Sequence, residues 1–248
     1  MSLATMSNHS QSTTMMMPSA LHLDDNAIKV HTTVKNVIQR GLSPFTVYTF
    51  TVTCHQTSTW WILQKRYSQI FALRSTLLKW RKQCSSTPGM APLADLLTTT
   101  ATVAFPRRHI CFDHPTIIRD RKRELQGFIA ALIRLRQACH ALAQQPGAPR
   151  RKAQDVTSLV LHFLEMPVAV EDEEHRLSCG RPLHSHTAPT DDACPICMCE
   201  FDELSDDDAV LELTCGHAFH ESCLVHWLDK KMTCPLCRCE AVGGFIAA

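Results

Sequence analysis

Between Cys194 and Cys237 the chain sets eight cysteines and histidines at spacings that few folds tolerate. The run reads Cys194-Pro-Ile-Cys197, then Cys215-Gly-His217-Ala-Phe-His220-Glu-Ser-Cys223, then Cys234-Pro-Leu-Cys237, with Arg238 directly after it. Eight thiol and imidazole groups within forty-four residues are what two tetrahedral zinc sites need. A two-residue gap between cysteines lets one tight turn aim both sulfurs at one metal, and such a pair stands at each end of the run. Cys-x-x-Cys also serves disulfide oxidoreductases. That chemistry leaves the central Cys-x-His-x-x-His-x-x-Cys block without a purpose, and no βαβ pattern surrounds either pair. Two zinc ions are the expected cofactors.

The segment resembles a RING finger of the variety with two central histidines, matching all eight ligand positions. The resemblance, and not the spacing, implies an interleaved cross-brace. One zinc would take Cys194, Cys197, His220 and Cys223; the other would take Cys215, His217, Cys234 and Cys237. Cys199 and Cys239 sit beside ligands, but a one-residue gap fits the turn poorly, so both are left out. A unit this small has little core of its own, so metal binding is expected to supply most of its folding free energy.

Fingers of this family bind a ubiquitin-conjugating enzyme charged with ubiquitin and promote transfer to a substrate lysine by positioning, without a covalent intermediate on the finger. By matched position, Ile196, Trp227 and Pro235 would contact the conjugating enzyme. Arg238 stands where active members carry a cation that bridges that enzyme and ubiquitin, a role suited to a planar fork of donors. Taken singly, Ile196 and Trp227 read equally as core residues of a tiny domain and Arg238 as a solvated charge. Together they point to a ligase. The alternative is a non-enzymatic adaptor that uses the finger as a protein-binding module.

At 248 residues the chain has room for one ordinary domain beside the small one. Its 13 cysteines include six ligands, and the remaining seven are scattered. That pattern does not make a disulfide framework and implies a reducing compartment. The net charge of +1 conceals a division. Asp24 to Met166 carries 20 Lys+Arg against 8 Asp+Glu, and the rest of the chain carries 5 against 16. The N-terminal part therefore calls for an anionic partner and the C-terminal part does not.

Residues 1–23 are rich in Ser, Thr and Met. They lack the basic start and apolar run of a signal peptide and the arginines of a mitochondrial presequence, so a disordered tail is expected. Strands are predicted over Ile28 to Val34, Phe45 to Cys54 and Thr59 to Gln64, with a turn at Gly41 and Pro44. The stretch from Gly41 to Gln64 has no charge, but its Thr, Ser and Gln content excludes a membrane span, and no other stretch is long and apolar enough. Apolar periodicity predicts helices over Tyr67 to Gln83, around Leu93 to Leu97, from about Thr116 to Ala143, and over Val156 to Glu165. The long helix carries Arg119, Arg121, Lys122 and Arg123 in its first turns. Cations there oppose the helix dipole by a few tenths of a kcal/mol each, which fits charges kept for a ligand.

Three strands, a Lys65-Arg66-Tyr67 corner, the Phe105-Pro106-Arg107-Arg108 loop and the arginine-headed helix together resemble the PX (phox homology) domain. The best stretches run from Trp61 to Leu73 and from Arg121 to Ile129. The resemblance implies a phosphoinositide partner, most often phosphatidylinositol 3-phosphate. By position, Arg66 would hold the 3-phosphate, Tyr67 would pack on the inositol ring, Arg121 would donate to ring hydroxyls and Arg108 would meet the 1-phosphate. Ile110 and Phe112 would dip into the bilayer. Two departures stand out: Pro88 and Pro92 are one residue too far apart for the family's Pro-x-x-Pro, and Phe105-Pro106-Arg107-Arg108 replaces its Pro-Pro-Lys. A solvated basic face or a nucleic-acid surface would need similar charge. Nucleic acid usually adds exposed aromatics or a groove-sized helix, and it is not the expected partner.

Residues 167–192 read as an acidic, proline-containing linker that would hold the finger away from an anionic surface. His175, His184 and His186 lie there without a cysteine block and read as solvated. The expected class is therefore α+β. A PX-like three-stranded sheet with a helical subdomain spans 24–166, a RING finger spans 193–239, and a tail follows over 240–248. The expected function is that of a cytoplasmic ligase peripheral on endosomal membrane, with the protein substrate unassigned.

Overall fold

The computed structural model describes residues 28–37, 45–108, 114–166, 193–201 and 208–247. The expectations for residues 1–23, the Gly41–Pro44 turn, Ile110, Phe112 and the 167–192 linker lie outside them.

Three strands open the fold: β1 (Ile28–Val37), β2 (Phe45–Cys54) and β3 (Thr59–Arg66). They form an antiparallel meander in which Ile28 faces Cys54 and Cys54 faces Thr59. A 3-10 turn over His55–Thr57 reverses the chain between β2 and β3, with Ser58 left-handed at φ 46°. Four helices follow: α1 (Tyr67–Ser85), α2 (Ala91–Thr102), α3 (Pro115–Ala143) and α4 (Arg150–Leu164). The predicted elements are all present, and two helices run longer than expected. α2 extends through Thr98, Thr99 and Thr100, whose hydroxyls donate to carbonyls one turn back. α4 starts at Arg150 because Pro149 precedes a solvated basic turn before the apolar spacing begins at Ala153.

One face of the meander presents Ile28, Val30, Tyr48, Phe50, Val52, Trp61 and Leu63 to the helices. There they meet Ile70, Leu73 and Leu77 of α1, Leu93 and Leu97 of α2, and Leu125, Phe128, Ile129 and Leu132 of α3. Ile117 of α3 is only half-buried. The indole N–H of Trp61 donates to the carbonyl of Leu164 at 3.0 Å and ties the sheet to α4. Lys65 is also committed to the interior: it is buried and paired with Glu165, the left-handed residue that ends α4.

The sheet is wider than the three strands expected. Val210–Leu213 (β4), Ala218–His220 (β5) and Gly243–Ala247 (β6) join the meander in a six-stranded sheet of order β1-β2-β3-β6-β4-β5. The stretch expected as a tail therefore contains β6, paired with β3 over Thr59–Trp61 and with β4 over Val210–Leu213. Close approach requires glycine: a Cβ at Gly244 would lie 1.9 Å from the Glu212 carbonyl oxygen, and one at Gly243 would lie 2.7 Å from that of Trp60. Trp60, next to Trp61 but pointing to the opposite face, is fully buried in a second cluster with Phe201, Leu211, Phe219 and Leu224. The C-terminal unit is thus packed against the sheet and not suspended from it.

Candidate metal centre and basic cleft

Two seven-residue segments, Cys194-Pro-Ile-Cys-Met-Cys-Glu200 and Cys234-Pro-Leu-Cys-Arg-Cys-Glu240, fold into the same knuckle. In the first, the Cys194 N–H donates to the Cys199 carbonyl at 2.9 Å and Met198 donates back to Cys194 at 2.8 Å. In the second, Cys234 donates to Cys239 at 2.8 Å and Arg238 to Cys234 at 3.1 Å. Met198 and Arg238 both close their turns at φ 64°, in the left-handed region. Each knuckle ends in an isolated bridge, Ala193 with Glu200 and Thr233 with Glu240. Cys199 and Cys239 serve through their backbone. Led by the N–H of Cys199, hydrogen bonds hold the Cys197 thiol at about 6, and the N–H of Cys239 does the same for Cys237.

The central ligands come from the β4–β5 hairpin and the helix after it. Gly216, at φ 85°, turns the hairpin so that Cys215 and His217 flank it. β5 ends on His220, and α5 (Glu221–Leu228) carries Cys223 in its first turn. Asp208 fixes that turn by accepting from the Ser222 N–H at 3.1 Å and the Ser222 hydroxyl at 2.7 Å.

The ligands gather as Cys194, Cys197, His220 and Cys223 and as Cys215, His217, Cys234 and Cys237, each set with its ligand atoms within 4.8 Å of one another. Ligand atoms held at about 2.1 to 2.3 Å by a tetrahedral zinc stand roughly 3.5 to 3.8 Å apart. Cys197 Sγ lies 3.3 Å from His220 Nδ1, and His217 Nδ1 lies 3.4 Å from Cys215 Sγ and 3.6 Å from Cys234 Sγ. Burial pushes the Cys215 and Cys223 thiols up to about 12, since a thiolate there has lost its water. A divalent cation amid four such donors offsets that loss. Both sets fit zinc, and the sites cross as the resemblance implied.

Ile196, Met198, Leu236 and Val242 are the exposed large hydrophobic residues among those described, and all lie in this unit. Trp227 is half-buried, its indole N–H donating to the Thr233 carbonyl at 2.7 Å, with Lys231 Nζ 5.6 Å from the ring centre. Pro235 is half-buried and Arg238 is exposed.

In the N-terminal unit, the sequence-chosen cations converge only in part. The Arg121 guanidinium is buried and stacks 4.2 Å from the centre of Tyr67, whose hydroxyl donates to the Pro106 carbonyl at 2.8 Å. Arg108 lies over Phe71 at 5.8 Å and Arg66 over Phe45 at 4.2 Å. Burial raises the Tyr67 pKa while Arg121, Arg108 and Arg74 oppose the rise. A cleft of about 310 Å³ opens beside this group, lined by Phe105, Pro106, Arg107, Ile117, Asp120, Arg121 and Glu124. Its lining thus includes Arg107 in place of Arg66 and Arg108, along with two carboxylates that sequence reasoning did not place there.

A ring finger domain family model matches residues 192–238. The E3 ubiquitin-protein ligase RNF181 of Rattus norvegicus is 47% identical over 47 residues, covering 19% of this chain and 27% of the relative. RNF181 of Xenopus tropicalis is 49% identical over 47 residues, with 19% and 28% covered. The putative RING-H2 finger protein ATL49 of Arabidopsis thaliana is 46% identical over 52 residues, with 21% and 12% covered. The chain therefore spans about a quarter of the length of its RNF181 relatives. Neither comparison finds a PX domain, so the N-terminal unit stands as a mixed helix-and-sheet fold with no family assigned. Residues 192–238 are a ring finger domain of the RING-H2 kind, its eight ligands set for two zinc ions.

Proposed function

We propose that this chain is a RING-type ubiquitin ligase that brings a charged conjugating enzyme to substrate lysines. The observation that carries the proposal is the crossed pair of four-ligand sites, in a unit where Ile196 and Arg238 are exposed and Trp227 and Pro235 half-buried. Zinc bound by four protein ligands has no open position and supplies structure alone. The rest of the work falls to side chains. Ile196, Trp227 and Pro235 offer an apolar groove to the conjugating enzyme, and the Trp227–Thr233 hydrogen bond fixes the indole that forms its wall. Arg238, held out from the second knuckle, donates to the conjugating enzyme and ubiquitin together. It thereby restrains the thioester where an amine can attack. The relatives named as E3 ubiquitin-protein ligases support this reading.

The N-terminal unit is proposed to recruit the ligase to a phosphoinositide membrane, with phosphatidylinositol 3-phosphate the first lipid to try and the endosomal surface the expected place. Support comes from the excess of basic residues and from Arg66, Tyr67, Arg108 and Arg121 around one corner of the fold. Asp120 and Glu124 in the cleft lining oppose an anion, so the lipid reading rests on the outer cations more than on the cleft.

Discharge of a ubiquitin-charged conjugating enzyme onto free lysine tests the activity directly. Wild type accelerates discharge, and Arg238→Ala removes the acceleration with zinc content unchanged. No acceleration across a panel of conjugating enzymes, with two zincs bound, would replace the ligase by the adaptor. Vesicle sedimentation with and without phosphatidylinositol 3-phosphate tests the lipid arm, and equal binding to both would remove it.

A further inference from the structure

We infer that docking of the ring finger on the sheet fixes which lysines receive ubiquitin, with Trp60 and β6 as the positioning elements. The inference rests on the ligase reading. Two separate contacts hold the finger. In the first, β6, the residue before it and β4 meet β3 and its turn: the Ile62 N–H donates to the Val242 carbonyl at 3.0 Å, the Ile246 N–H to that of Ser58 at 2.8 Å and the Trp60 indole to that of Glu212 at 3.0 Å. In the second, α5 leans on the same face of the sheet. Glu221 accepts from the Thr53 hydroxyl at 2.6 Å and pairs with Lys29 at 3.6 Å, while Asp229 lies 3.3 Å from His31. A strand and a helix held at different points leave no free rotation.

The docked state is open for work, since Ile196 and Arg238 remain exposed. The finger joins β3 at Thr59–Trp61, and Arg66 closes the other end of that strand. At about 3.3 Å per residue the two ends are roughly 20 Å apart. Ubiquitin is therefore offered at a set displacement from whatever the basic corner holds. A finger on a flexible tether would sample lysines broadly; a docked one samples a narrow zone. The step itself is aminolysis. A neutral lysine Nζ attacks the thioester carbonyl between ubiquitin and the conjugating enzyme's cysteine, an isopeptide bond forms, the C–S bond breaks, and the thiolate leaves while the amine proton passes to solvent.

The test uses the full zinc-loaded chain with ubiquitin-activating and conjugating enzymes, ATP and ubiquitin. Modified lysines on the chain are mapped by mass spectrometry and amide hydrogen exchange is followed at Ile62 and Ile246. Wild type is expected to modify a small subset of its lysines and to protect both amides at least tenfold. Trp60→Ala should lose protection at both amides, and Ile246→Pro, which has no amide hydrogen at 246, should lose it at Ile62; each should at least double the number of modified lysines. Discharge onto free lysine should stay within twofold of wild type. Modification spread over all lysines in wild type would overturn the inference whatever the variants do. So would an unchanged pattern in a zinc-loaded variant that has lost protection, or rapid exchange of both amides in wild type. Failure of the ligase reading shows differently, as no discharge onto free lysine by wild type with both amides protected.

Discussion

Trp60 and Trp61 are neighbours in β3 and belong to different cores. Trp61 faces the helices in a cluster of twenty-nine buried residues among those described, whereas Trp60 faces the ring finger in a cluster of twelve. Twenty-nine buried residues can hold a fold by apolar burial. Twelve, two of them zinc ligands, cannot, so the second unit depends on its metals for folding and is docked on the first through Trp60. The two units share a sheet but are stabilised by different physics.

Removing the metals should have the largest effect, because structural zinc contributes about 10 to 16 kcal/mol of apparent binding free energy in small fingers. Chelation, or Cys194→Ser, should abolish amide protection in β4 to β6 while the helical circular dichroism of α1 to α4 persists. Loss of both signals together would mean that the N-terminal unit is not independent. Trp61→Ala comes next, with a loss of about 3 to 5 kcal/mol from the cavity and the freed Leu164 carbonyl. It should appear in urea unfolding monitored on the helices. Trp60→Ala in the same assay should cost that unit less than about 1 kcal/mol, and equal costs would erase the distinction between the cores. A smaller effect is expected at the knuckles: Met198→Gly should stabilise the finger by about 1 kcal/mol, since only glycine adopts φ 64° without strain. Thermal unfolding of the zinc-loaded chain reads it, and no change would mean the turn is unstrained. Smallest is Lys29→Ala, at less than about 1 kcal/mol, because the Lys29–Glu221 pair is partly solvated. Its effect should vanish in high salt, and persistence there would assign the contact to packing.

Much of this was legible beforehand for reasons that are local. Helices announce themselves by apolar spacing, as at Ile70, Leu73 and Leu77, and the structure buries those three. The ligands were legible because zinc fixes both residue type and spacing. The basic corner was half legible. Arg121 and Tyr67 do stack, but the turn of Lys65 toward Glu165, one hundred residues away, and the carboxylates in the cleft lining depend on how α3 and α4 pack. The docking has one local signal in the sequence. Thr59-Trp60-Trp61-Ile62-Leu63 does not alternate, and a strand without a polar face is covered on both sides.

By itself the sequence determined the metal ligands, the first three strands, the four long helices and the charge division, since each is set by residues close together in the chain. Only the tertiary structure decided what covers the second face of the meander. Gly243 to Ala247 carries no alternation and no charge to mark it as a partner of Thr59 to Trp61, more than 180 residues earlier. Strand pairing is made by backbone hydrogen bonds that every residue but proline can supply. The choice of partner was therefore left to shape: two glycines flat enough to pass beneath Trp60, and an indole with a second core to enter.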